Sequence, residues 1–179
     1  MPSLLLVLTG VDHWTLDDGT RQPTGFWAEE LTEPMRVFRD AEVDVTIATP
    51  GGVRPTVDEA SLSAEGAGGE ERAAALRGEL DALADQLASP AAVEALSADD
   101  YDGVFVPGGH GPMEDLASSD ELGRLVLTML DDDKVVAAVC HGPAALLSAM
   151  RPDGTWAFAG RKLAAVSYTH LTLPTTPYV

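Results

Sequence analysis

Cysteine is almost absent from this chain: Cys140 is the only one in 179 residues. A single cysteine excludes any internal disulfide, so cysteine usage gives no sign of an oxidising compartment. Basic residues are also scarce. Eleven Lys and Arg face 29 Asp and Glu, a formal net charge of -18 at pH 7. A surface of that sign repels nucleic acid phosphates and anionic membranes, so neither is expected as a partner. Long apolar runs are missing too: none approaches the roughly 20 residues that span a bilayer. The opening MPSLLLVLTG has no basic stretch before its short apolar run, and no small-residue cleavage site follows it. It is expected to be a buried first strand rather than a secretion signal, and the chain is expected in the cytoplasm.

Some motifs are missing as well. No paired Cys/His spacing of a zinc site accompanies Cys140, and the adjacent Cys140 and His141 do not easily reach one ion, so no metal is expected. Gly108-Gly109-His110-Gly111 lacks both the Lys-Ser/Thr of a phosphate-binding loop and the spacing of a dinucleotide fingerprint. No repeat or interdomain linker interrupts the chain.

What is present fits one domain with a real core: 45% of the residues are apolar, an ordinary share for a globular protein. Leu4 to Leu8 is a continuous apolar run, as in a strand covered on both faces. Residues 11 to 24 are polar and turn-rich and read as a loop. Phe26, Leu31, Met35 and Phe38 have helical spacing over about 24–40, with Pro34 inside as a candidate kink. Residues 43–48 (VDVTIA) read as a second strand, and 53–69 as irregular. Ala73, Leu76, Leu80, Leu83 and Leu87 mark an amphipathic helix across 70–89. A short helix is expected at about 91–96, a strand at 103–106, a helix at 119–130 and a buried strand at 135–139. Gly142-Pro143 opens a further helix to about Met150. Strands alternating with helices predict an α/β layer fold with a mostly parallel sheet. The stretch 167–179, SYTHLTLPTTPYV, has no charged residue and no helical period. It reads as a tail foreign to a domain spanning 1–166.

In open parallel sheets, ligands bind beyond the carboxyl ends of the strands. Thr9-Gly10, Pro50-Gly51, Pro107 to His110 and Cys140-His141 all fall there. Cys140 sits where a strand turns sharply toward a helix, with small residues Ala138 and Gly142 two places either side. This is the nucleophile-elbow pattern with cysteine for serine. Such a turn exposes the sulfur, and the following helix N-terminus is expected to lower the thiol pKa. Backbone N–H groups nearby can hold an oxyanion. The glycines of Gly108 to Gly111 are expected to let backbone amides approach the nucleophile. His13 is open between pocket lining and an idle loop position. Trp14 and Trp27 are open between an apolar pocket wall and core packing, with core packing favoured.

Read in order, GFWAEELTEPM, VFVPGGHGPMEDL and AAVCHGPAALL resemble the DJ-1/PfpI superfamily over roughly residues 3–165. Within it the chain is similar to the glutathione-independent glyoxalase III (D-lactate dehydratase) branch, which includes chaperone-like and deglycase members. Such chains are also described as type 1 glutamine amidotransferase-like. The resemblance implies a flavodoxin-like three-layer sandwich with the elbow at the end of a central strand. It implies a lyase that converts methylglyoxal to lactate through a Cys140 hemithioacetal, with protein deglycation or a stress role alongside. Its catalytic residues map to Cys140, His141 and Glu30. Glu30 is chosen over Glu29 because it lies four residues before Pro34, and Glu33 is out of register. Gly108, Gly109 and His110 map to the substrate-binding segment. No metal or organic cofactor is implied, the partner is a small reactive aldehyde, and a homodimer is compatible.

The chain also departs from the pattern. Glu114 stands where this branch often has tryptophan, which bears on the pocket rim. The family continues after a strand like 161–166 (RKLAAV) with an acidic segment that often partners the histidine, further strands and a closing helix. These are missing here, so the domain is expected to be incomplete at its C-terminus. Two rival readings are a Cys-His-acid amidohydrolase or peptidase-like enzyme, and a non-enzymatic redox-sensing chaperone. The first needs a late histidine, and only His170 in the tail is available.

Overall fold

The computed structural model describes residues 1–163. The expected tail at 167–179, His170 and the second half of the strand expected at 161–166 lie outside the described residues. Residues 161–163 form no strand.

Five strands make one parallel sheet. They are β1 (Ser3–Val7), β4 (Asp44–Thr49), β5 (Ala91–Ala92), β6 (Gly103–Val106) and β7 (Val135–Ala138), in the order β5-β4-β1-β6-β7. Every pairing between them is parallel. Without the two-residue β5 the order is second, first, third, fourth, the flavodoxin arrangement, with its switch point between β1 and β6. The apolar run that begins in β1 explains the layers. Leu5 and Val7 point to one face and pack with Leu122, Leu125, Val126 and Met129 of α4 (Asp120–Asp131). Leu6 and Leu8 point to the other and pack with Leu31 of α1 (Ala28–Asp40) and Leu87 of α3 (Ala84–Ala88). All four of these residues are fully buried, as a strand between two helical layers requires. α2 (Glu70–Ala82) lies against α1, where Arg72 binds Glu29, Glu33 and Glu79.

Several expectations change. The 11–24 loop contains a small antiparallel hairpin, β2 (His13–Thr15) with β3 (Arg21–Pro23), closed by a turn in which Asp18 accepts from the Thr20 amide at 2.8 Å. The helix expected over 70–89 breaks at Leu83 into α2 and α3. The helix expected at 91–96 is instead β5 and a 3-10 turn, Val93–Ala95. The irregular stretch 53–69 holds a 3-10 turn at Glu59–Leu62. Pro34 stays within α1 without ending it.

Residues Gly142–Ser148 form a 3-10 helix rather than an α-helix. The Leu146 carbonyl accepts from the Ala149 amide at 3.2 Å and from the Trp156 indole at 2.6 Å. Those two donors take the oxygen that an α-helix would offer to residue 150. β7, expected to be buried and central, is the outer strand among the described residues, and its Val135 is 62% exposed.

Candidate active site

Three strand ends converge at the switch point. β1 runs out into Thr9 and Gly10, β6 into Pro107 to His110, and β7 into Cys140 and His141. Asp115 ties the first two together: its carboxylate accepts from the Thr9 hydroxyl at 2.9 Å and from the Gly10 amide at 2.7 Å. Burial holds the Asp115 pKa above the ordinary carboxylate value against those hydrogen bonds.

Cys140 lies at this convergence, half-buried, with φ of 56°. A side chain at positive φ is strained by about 1–3 kcal/mol. The kink separates the sulfur from the line of β7, as an elbow does. Its Sγ is 3.3 Å from His141 Nδ1, and the amides of His141 and Gly109 donate to it. His141 itself is buried, 7% exposed.

Glu30, in the first turn of α1, reaches the same sulfur. Its Oε2 accepts from the Gly108 amide at 2.7 Å, and its carboxylate accepts from the Cys140 thiol. Gly108 makes this approach sterically available. A Cβ there would stand 2.7 Å from Glu30 Oε2, 2.8 Å from Cys140 Cβ and 2.8 Å from the His141 nitrogen. The neighbouring carboxylates go elsewhere, since Glu29 and Glu33 both bind Arg72. Register with Pro34 therefore selected the glutamate that meets the cysteine.

The expectation of a low thiol pKa is not met. The Cys140 thiol is pushed up to about 11, first by burial, then by the charge of Glu30 and its hydrogen bond, against the His141 and Gly109 amides. The helix that should have supplied a lowering dipole is a 3-10 segment of seven residues, and its field competes with a carboxylate in direct contact. Burial likewise raises the Glu30 pKa, more than the Gly108 amide and the thiol lower it. The carboxylate thus disfavours charge on the thiol, while the thiol's hydrogen bond favours charge on the carboxylate without outweighing burial.

A cleft of about 470 Å³ opens over Cys140 and His141, walled by Trp14, Met113, Ala117, Pro143, Ala144, Leu147 and Trp156. Trp14, favoured for core packing over a pocket wall, is part of that wall. Gly108, Gly109 and His110, expected to bind substrate, stand behind it. The Gly108 amide is engaged by Glu30, the Gly109 amide faces the sulfur, and His110 packs between Trp14 and His141. Its ring centroid is 5.8 Å from that of Trp14 and 4.9 Å from that of His141. His110 Nδ1 is 3.9 Å from the buried Asp58 carboxylate, and burial keeps the His110 pKa below its ordinary value. His13 neither lines the cleft nor idles: it sits between Asp12, at 2.8 Å, and Glu114, at 3.7 Å. Trp27 ends at the N-terminus of α1, where its amide donates to the Gly108 carbonyl at 3.3 Å. Among the described residues no cluster of three or more His, Cys, Asp or Glu could hold a metal ion, and no helix is long and apolar enough to cross a membrane.

Sequence reasoning missed Asp58, Asp115 and the cleft residues Met113, Leu147 and Trp156. Nothing local marks them, because the chain order scatters them and only the folded loops bring them together.

Residues 23–157 match the DJ-1/PfpI family. The chain is 29% identical over 154 residues to the protein/nucleic acid deglycase HchA of Staphylococcus aureus, a match that takes in 82% of this chain and 50% of that one. It thus spans about half the length of the curated relatives it matches. Among solved structures, it resembles glyoxalase III from Candida albicans at a TM-score of 0.71 and 26% identity, over 88% of this chain and 64% of that one. It also shares the fold of the Rapid Encystment Protein 24 KDa of Francisella tularensis, at a TM-score of 0.73 and 24% identity, over 88% of this chain and 67% of that one.

Proposed function

The chain belongs to the DJ-1/PfpI family, and from that premise we propose that it is a lyase of the glutathione-independent glyoxalase type. It converts 2-oxoaldehydes, of which methylglyoxal is the simplest, to 2-hydroxy acids. The observation that carries this reading is the position of Glu30, hydrogen-bonded at once to the Gly108 amide and the Cys140 thiol. A carboxyl group so placed, with its pKa raised by burial, is suited to accept a proton and return it. The similarity to glyoxalase III and to deglycases supports the same reading, since both names describe chemistry on reactive carbonyls.

The reaction balances within the site. The Cys140 sulfur bonds to the aldehyde carbon, the C=O π pair moves to oxygen, and the thiol proton passes by way of His141 to that oxygen. This gives a hemithioacetal. The Glu30 carboxylate takes the proton from the former aldehyde carbon while His141 relays the new hydroxyl's proton to the ketone oxygen, forming an enediolate with its charge on the first oxygen. Glu30 then returns its proton to the second carbon as that charge closes to a carbonyl, leaving a thioester. Water cleaves the carbon–sulfur bond, releasing the 2-hydroxy acid and the thiol. The Gly109 and His141 amides, which face the sulfur, are placed to steady oxygen charge as it develops.

The test is lactate formation from methylglyoxal without glutathione, with circular dichroism to verify folding. Wild-type protein is expected to form lactate and Cys140→Ser to form none. Undiminished lactate from the folded variant would overturn the assignment.

A further inference from the structure

The cleft over Cys140 is large and apolar for a three-carbon substrate. Its volume of about 470 Å³ falls in the range of pockets that enclose drug-sized ligands, roughly 300–1,000 Å³. Trp14, Met113, Ala117, Pro143, Leu147 and Trp156 make the wall, and among the described residues of the lining only Cys140 and His141 ionise. Among the described residues no Lys or Arg lines it to offer a substrate carboxylate a fixed counter-ion. Leu147 is 55% exposed, which leaves apolar surface facing the open cleft.

Both indoles are anchored. The Trp156 nitrogen donates to the Leu146 carbonyl at 2.6 Å, and its ring packs on Phe158 at 5.7 Å between centroids. Trp14 stacks on His110 at an interplanar angle of 27° and belongs to the β2 strand of the hairpin. That hairpin is pinned from across the cleft rim. The Glu114 carboxylate accepts from the Thr15 amide at 2.9 Å and from the Thr15 hydroxyl at 2.8 Å, and its Oε1 is 3.7 Å from His13 Nε2. Glu114 therefore grips both neighbours of Trp14 in the chain. The Thr15 contacts hold its carboxyl below the usual carboxylate range, so the clamp is charged at neutral pH. A wall fixed before binding loses little freedom on contact and favours ligands that fill it.

We propose that the Cys140 cleft recognises 2-oxoaldehydes by a bulky apolar substituent, with Trp14 as the specificity-determining wall and Glu114 as the residue that positions it. The proposal rests on the reading of Cys140 as a nucleophile toward aldehydes. A phenyl group buried against this wall is expected to favour phenylglyoxal over methylglyoxal in kcat/KM by about tenfold or more, the range that burying an aromatic ring supplies.

Because the chain has a single cysteine, the cleft can also be read without turnover. Alkylation of Cys140 by N-benzyl iodoacetamide and by iodoacetamide is compared, each rate normalised to its rate with free cysteine. The benzyl reagent is expected to be favoured about tenfold. Trp14→Ala should abolish both preferences. Glu114→Ala should weaken them through KM with kcat little changed. Glu114→Gln, which keeps one carbonyl oxygen for Thr15, should retain most of the effect. Equal normalised rates for the two reagents, or preferences that survive Trp14→Ala in a folded protein, overturn the proposal. Turnover of neither aldehyde alongside a clear benzyl preference overturns the aldehyde chemistry of Cys140 and upholds apolar recognition by the cleft.

Discussion

Cys140 and Glu30 meet at the centre of the site, and the carboxylate makes the thiol harder to charge. With the thiol near pKa 11, only about one molecule in a thousand is thiolate at pH 8. Cys140 of the resting protein is thus a hydrogen-bonded thiol, and its reactivity depends on where the proton can go. Removing the carboxylate separates the two roles. Glu30→Gln takes away the charge and the acceptor that raise the thiol pKa, so Cys140 should ionise more readily. Its alkylation by iodoacetamide at pH 8 is expected to quicken by about tenfold for each pKa unit recovered. Lactate formation should fall by about 10²–10⁴, the usual loss when a general acid–base is removed. In the wild type, the alkylation rate should still climb with pH beyond 10. A plateau by pH 9, or a Glu30→Gln variant no faster than wild type, would contradict the coupling. The expectation of a low thiol pKa from sequence failed for the same reason. An elbow and a following helix are visible along the chain, but Glu30 lies 110 positions away and only the fold brings it to the sulfur.

Elements with strong periodicity or a clear cap are legible in the amino-acid sequence. β6 has the expected limits, 103–106, because a β-branched run is bounded by glycine and by Pro107-Gly108. α4 begins one residue after Ser119, whose hydroxyl accepts from the Leu122 amide at 3.2 Å, an ordinary N-cap. The hairpin of β2 and β3 is illegible there because three-residue strands give too short an alternation to read. β5 is illegible because Ala91-Ala92 suits a helix by propensity, and it pairs only because β4 presents an open edge. At the end of Gly142–Ser148 the Leu146 carbonyl is taken by the Trp156 indole, a tertiary donor that local sequence does not announce. That segment also has a steric requirement at its start. A Cβ on Gly142 would stand 2.2 Å from the Val106 carbonyl oxygen, a backbone atom that no rotamer change can move. Gly142→Ala should push the segment away from β6 and cost at least the 1–3 kcal/mol typical of overpacking, a fall in Tm of roughly 3–10 °C. Thermal unfolding followed by circular dichroism checks it, and an unchanged Tm would mean that the elbow does not pack against β6 as described.

The whole chain carries 18 more acidic than basic charges, so most of its carboxylates have no cation of their own. Among the described residues the densest ion-pair cluster is Arg72 with Glu29, Glu33 and Glu79, at 3.0, 2.8 and 2.6 Å. Arg72 is itself partly exposed, so salt weakens this network along with the repulsion around it. The two effects oppose each other and their scale decides the sign. One cation among three carboxylates is a short-range arrangement, with contacts well inside the screening length of roughly 10 Å at 0.1 M salt. Repulsion among the remaining carboxylates is summed over the molecule, at separations comparable with or larger than that length, where screening removes most of it. Unfolding relieves the repulsion by spreading the charges, so screening should favour the folded state. Raising NaCl from 20 to 500 mM is expected to raise the Tm by a few degrees, on the order of 1 kcal/mol or more for a domain of this size. Arg72→Met should sharpen the rise, because the local attraction that salt erodes is then absent. A Tm that falls with salt in the wild type and recovers its rise in Arg72→Met would locate the dominant electrostatic term in the α1–α2 network rather than in net charge.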